Sequence, residues 1–160
     1  MNNGDIDVVL GLDPGFTKQN PTAVAMVRLS DRHLLGRSLF VPDVELPWEE
    51  RLPGLLAWLD EYIGMRREIE ALAYEIPFSG PNQAVGIMLA HIGGVAQTLA
   101  WLHGLRCVKV RPAQAKLALA GKGNATKDDM IAAAAKVFGQ NMTKDEADAC
   151  GIALAAEGLL

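Results

Sequence analysis

Four carboxylates carry the chemistry this sequence could perform: Asp13, Glu75, Asp145 and Asp148. Asp13 follows a short apolar run, residues 8–12, of the kind that forms a strand buried on both faces. Pro14 cannot donate to a ladder and Gly15 permits a tight turn. The strand therefore stops there, leaving Asp13 rigidly held at its exposed carboxyl end. Glu75 closes a second short apolar run, residues 71–75, in the same way. Asp145 and Asp148 are three apart in a helical segment, so they share one face, while Glu146 points elsewhere into solvent. If adjacent strands carry Asp13 and Glu75 and the helix packs across them, all four acids converge.

Clustered carboxylates cannot all stay ionised without cations between them. Hard oxygen donors favour magnesium or manganese over zinc. Two such ions about 4 Å apart would hold a phosphodiester, activate water as nucleophile and stabilise a leaving 3′ oxygen. The chemistry indicated is metal-dependent phosphodiester hydrolysis. Each acid also has an ordinary explanation. An Asp before Pro-Gly can simply open a turn, and acids in a first helical turn interact favourably with the helix dipole.

The elements that must position these acids are legible in order. Residues 22–29 and 34–41 read as second and third strands joined by a hairpin loop at 30–33. Residues 48–68 carry Leu52, Leu55, Leu56, Leu59 and Ile63 at helical spacing. Asn82 caps a long helix reaching about His103, rich in Ala and Gly, whose Val85, Met88, Leu89, Ile92, Leu99 and Leu102 read as core. Its small residues suit close packing on the sheet, on a second subunit, or on both. A fifth strand spans 105–110, Pro112 opens a helix to about Leu119, and Thr126 and Thr143 cap two more, the last running to the C-terminus. The order predicts an α/β three-layer domain, a mixed five-stranded sheet with helices on both faces, as a single domain over residues 1–160.

Of the 160 residues, 50% are apolar and 21% charged, which is globular and not disordered. No stretch reads as a membrane span or a signal peptide, so the expected location is cytoplasmic. Cys107 and Cys150 read as buried reduced thiols, and His91 and His103 as structural or interfacial. The net charge of −4 conceals an asymmetry. Residues 105–144 hold eight Lys/Arg against Asp128 and Asp129, net +6, whereas the remainder holds seven basic and seventeen acidic residues, net −10. Such a cationic segment suits contact with a polyanion, although a solvated lysine surface has the same composition.

In Gly11-Leu12-Asp13-Pro14-Gly15, Tyr74-Glu75-Ile76-Pro77-Phe78 and Asp145-Glu146-Ala147-Asp148-Ala149, in that order and spacing, the chain resembles the RuvC-type Holliday junction resolvases of the RNase H-like superfamily. Between them, Pro112-Ala113-Gln114-Ala115-Lys116 and Gly121-Lys122-Gly123-Asn124-Ala125-Thr126-Lys127 look like that family's two basic segments. The resemblance covers nearly the full length. It implies an RNase H-like fold and an endonuclease that resolves four-way DNA junctions in recombination and repair. Asp13, Glu75, Asp145 and Asp148 would be catalytic acids binding magnesium, with manganese as substitute and two ions per subunit. Lys116 and Lys127, with Lys122, would contact DNA, and Phe78 would meet bases at the crossover. The family works as a homodimer with branch-migration proteins as further partners, and residues 84–103 are where its interface is expected. The chain departs in about six extra residues before the first strand and in its acidic balance, which bears on affinity more than on chemistry.

Three rivals share some of these features. A nuclease of the same fold acting on other branched DNA or on RNA would carry the same acids. An inactive DNA-structure-binding module would have little reason to keep four clustered carboxylates that repel phosphate. A third, an actin-like ATPase, also opens with a strand ending Asp-x-Gly, but needs two such lobes.

Overall fold

The computed structural model describes residues 6–77 and 82–160. Phe78 lies outside them. A first strand β1 (Val8–Asp13) is followed by β2 (Thr22–Arg28) and β3 (His33–Phe40), then helix α1 (Trp48–Gly64), β4 (Ala71–Glu75), α2 (Gln83–Leu102) and β5 (Arg106–Val110). Three helices complete the chain: α3 (Pro112–Ala120), α4 (Lys127–Phe138) and α5 (Lys144–Ala155), the last ending in a 3-10 turn, Ala156–Gly158.

The five strands form one mixed sheet in the order β3-β2-β1-β4-β5. β1 pairs antiparallel with β2 and parallel with β4, and β4 parallel with β5. The predicted class and all five strands hold, and β1 is central. Strand alternation divides the core into two. Val9, Ala23, Ala25, Ala71, Ala73 and Val110 face α3, α4 and α5, and Leu10, Leu12, Val24, Leu72 and Tyr74 face α1 and α2.

Two close approaches set the layers. A Cβ at Gly11 would stand 2.1 Å from the Ala149 carbonyl oxygen and 2.6 Å from the Ala153 nitrogen. Only glycine lets α5 press its backbone against the central strand there. On the other face a Cβ at Gly93 would stand 2.9 Å from the Tyr74 ring, so α2 sits directly on β4.

Several expectations need correction. α1 ends at Gly64 rather than near Glu68, and α5 stops at Ala155 instead of continuing to the C-terminus. Val85 and Leu102 are exposed while Ile92 and Leu99 are buried, so α2 buries only one side. Although no span was expected, α2 is long and apolar enough by length and composition to cross a membrane, without an Asp, Glu, Lys or Arg in its sequence. Its Ile92, Gly93, Ala96, Leu99 and Ala100 are nonetheless buried, which suits a helix lying on a sheet. Cys107 is exposed because β5 is an edge strand, while Cys150 is buried as expected. His91 stacks on Trp48 with ring centroids 5.0 Å apart, and His103 Nε2 lies 2.6 Å from Asp60 Oδ1. Both histidines therefore have structural partners.

Candidate active site

The period of the strands decides where the strand-end acids point. Val9, Gly11 and Asp13 alternate onto the α5 face of β1, and Ala71, Ala73 and Glu75 onto the same face of β4. Leu12 pairs with Tyr74 in the parallel register, so Asp13 and Glu75 stand side by side one residue further on. α5 is pinned by Ala149 and Ala153 over Gly11. One helical turn back, about 5.4 Å, carries the helix from Ala149 to Asp145, with Asp148 three residues on sharing its face. Two strand residues forward, about 6.6 Å, carry β1 from Gly11 to Asp13. The helical and strand acids therefore lie at the same, carboxyl end of the sheet.

Their charges are felt across the cluster. Burial first, then Asp148, Glu75 and Asp145, push the Asp13 carboxyl well above the usual carboxylate range, and Lys144 acts in the opposite sense. Asp13 is only 8% exposed, so it is less accessible than its strand-end position suggested. Glu75 is pushed up from 4.5 to about 7, by burial and then by Asp148, with Lys144 and Lys116 opposing. Asp145 is 9% exposed.

Two basic or acidic partners of the site were not anticipated. Lys144, the first residue of α5, places Nζ 3.1 Å from Asp148 Oδ2 and 3.5 Å from Asp145 Oδ1. Burial works against its charge, but Asp148, and then Asp13 and Asp145, outweigh this and hold its pKa above the ordinary lysine value. Glu146 is not solvated. Its Oε2 accepts from the Thr143 backbone N–H at 2.7 Å and from Arg37 at 3.3 Å, while the Thr143 hydroxyl accepts from the Glu146 N–H. Arg37 also donates to the Asn141 carbonyl. The capping box and this β3 arginine thus anchor the start of α5, the turn that carries the acids. The T-x-x-E pattern at Thr143 was the available signal for Glu146; a cation at a helix's first position was the signal for Lys144.

The donor set is all carboxylate oxygen, which suits a hard divalent cation. Asp13, Glu75, Asp145 and Asp148 are the residues that could hold one. Among the described residues no three His, Cys, Asp or Glu side chains are already drawn into a cage for an ion. Lys144 supplies the counter-charge instead. The predicted DNA contacts divide. Lys116 lies close enough to Glu75 for its charge to act there. Lys122 is 2.9 Å from Asp129 and Lys127 is exposed at the start of α4. Neither is among the cations acting on Asp13 or Glu75.

The family described as "Crossover junction endodeoxyribonuclease RuvC" matches residues 9–156. The chain belongs to the RuvC family. A protein of that description from Anaeromyxobacter sp. (strain K) is 35% identical over 150 residues, covering 92% of this chain and 78% of the relative. One from Brachyspira hyodysenteriae is 30% identical and covers 92% of both. Among solved structures, T. thermophilus RuvC in complex with a Holliday junction substrate superposes with a TM-score of 0.81 at 26% identity, over 93% of this chain and 92% of that one. The family match takes in all four acids.

Crowding of the acids has a consequence for stability. Glu75 keeps its proton to about 7 in the folded chain but to about 4.5 when unfolded. Between those values the native state binds more protons, so stability falls as pH rises through that window, and Asp13 acts in the same sense. The Tm of EDTA-treated protein is expected to drop by several degrees from about pH 5 to about pH 8, and millimolar magnesium to close the gap. A pH-independent Tm in EDTA would contradict the crowding.

Proposed function

We propose that this chain is a structure-selective endonuclease resolving four-way (Holliday) DNA junctions by divalent-metal-dependent phosphodiester hydrolysis. The observation that carries the reading is the register that turns Asp13 and Glu75 to one face of the sheet, beneath Asp145 and Asp148, in a chain of the RuvC family. That the T. thermophilus relative was solved with a Holliday junction substrate supports the substrate class.

Asp13, Glu75, Asp145 and Asp148 hold magnesium, or manganese in its place, as two ions per subunit. Bound there, the metal supplies an activated water and a Lewis acid for the departing 3′ oxygen. Asp13 and Glu75 stand on the backbone of the sheet, and Asp145 and Asp148 on the capped start of α5, so the backbone that carries the acids is held in place. Lys116, beside Glu75, takes a phosphate oxygen of the cut strand. Lys127 and Lys122 extend the backbone contact, and Phe78, by its sequence position, meets bases at the crossover. The enzyme acts as a homodimer through the outer face of α2, one site per strand, in the cytoplasm, with branch-migration proteins as further partners.

The test is a cleavage panel of four-way junctions, forks, flaps and RNA–DNA hybrids with and without magnesium. Symmetric cuts in the four-way junction, absent in EDTA, are expected. Preference for another substrate would transfer the assignment to a different nuclease of this fold, and binding without cleavage would make it a structure-binding module. Lys116→Ala is expected to weaken junction binding roughly tenfold at low salt and to lower the salt slope by about 0.9, one phosphate contact. An unchanged slope in a filter-binding titration would remove Lys116 from the phosphate.

A further inference from the structure

Lys144 breaks two local rules at once. It is a cation at the first position of α5, where the helix carries partial positive charge. It also precedes its i+4 acid, Asp148, the less favourable order for such a pair. Helix formation therefore does not account for a lysine there. The acids do. Its ammonium stands 3.1 Å from Asp148 and 3.5 Å from Asp145, and the Thr143–Glu146 capping box holds the backbone so that the side chain faces them. Among the described residues no other cation pairs directly with either of these two acids. With 34% of its side chain exposed, Lys144 keeps an open route to solvent. A compact, strongly hydrated charge on a flexible stem can leave along such a route more readily than a forked guanidinium.

We propose that Lys144 is a built-in counter-cation of the acid cluster, holding Asp145 and Asp148 in the metal-free protein and displaced when a divalent cation binds. The proposal rests on the reading of these acids as metal ligands. Lys144 is a positioning residue: it keeps the crowded carboxylates folded before metal arrives and weakens metal affinity by competing for the same oxygens. Removing the competitor leaves the cluster short of positive charge, so the metal binds more tightly while the metal-free fold is less stable.

Calorimetric titration of manganese into EDTA-stripped, dialysed full chain tests this, alongside Tm in EDTA. Lys144→Met is expected to bind manganese about tenfold more tightly than the natural chain, a difference of ~1.4 kcal/mol, and to melt several degrees lower without metal. Lys144→Arg, which restores the charge, is expected to return both values toward the natural ones. Lys144→Gln serves as a second neutral variant if Lys144→Met does not fold without metal. Equal or weaker manganese binding by the neutral variants would overturn the competition. Asp148→Asn separates metal ligation by the acids from competition by Lys144. Loss of manganese binding in that variant upholds the acids as ligands whatever Lys144 does, and unchanged binding sinks that reading and the proposal together.

Discussion

Asp13→Asn is expected to abolish junction cleavage, lowering turnover by at least about a thousandfold, while junction affinity stays within about threefold. The substitution keeps the shape of a side chain that is 8% exposed at the carboxyl end of the central strand, and removes its charge. Burial and the neighbouring Asp148 and Glu75 already oppose that charge in the folded chain. The metal-free variant should therefore melt at a higher temperature than the natural chain. A gain of about 1 kcal/mol moves the Tm of a chain this size by roughly 2–4 °C. Lost activity with raised stability separates a site residue from a structural one, because damage to the fold would lower both. Junction affinity should survive because phosphate contacts, not the acids, supply it. Full activity in Asp13→Asn would exclude Asp13 from the site.

On the homodimer proposed through the outer face of α2, Gly94→Arg is expected to leave the chain monomeric and to replace paired junction cuts by slow single nicks, with resolution falling about a hundredfold. Gly94 lies on the outer face of α2, and a Cβ added there meets nothing within 4 Å, so the monomer has room for the side chain. Replacing a mid-helix glycine by arginine also favours the helix by several tenths of a kcal/mol. The damage is thereby confined to whatever covers this face. Ile87, Ala90 and Trp101 lie along the same side, and Trp101 is 79% exposed. An exposed apolar stripe of this kind marks an interaction surface. Sedimentation of the variant as an intact dimer would place the interface elsewhere.

What the sequence disclosed was local. Strand ends, caps and helix periods depend on residues within a few positions, so β1, β4, the Asn82, Thr126 and Thr143 caps and the Asp145–Asp148 pair were readable directly. The convergence of the acids required adjacency of β1 and β4, which no local pattern encodes; the family motifs supplied it. Exposure is not legible where it depends on position in the sheet. Cys107 has the apolar neighbours of a core thiol, yet β5 is an edge. The apolar residues of α2 spread round the helix, and the sheet covers only one side. The partner that takes Glu146 out of solvent, Arg37, is 109 residues away in sequence, beyond any local pattern. The cationic balance of residues 105–144 overstated the free positive charge, since Lys122 is paired with Asp129, and Lys144 with Asp145 and Asp148.

Anomalous diffraction from crystals of the full chain grown with saturating manganese addresses the acids most directly. Strong anomalous density is expected at the carboxyl end of β1 and β4, bounded by Asp13, Glu75 and Asp148. Manganese bound only elsewhere on the molecule, or none at all with these carboxylates still ordered, would contradict it.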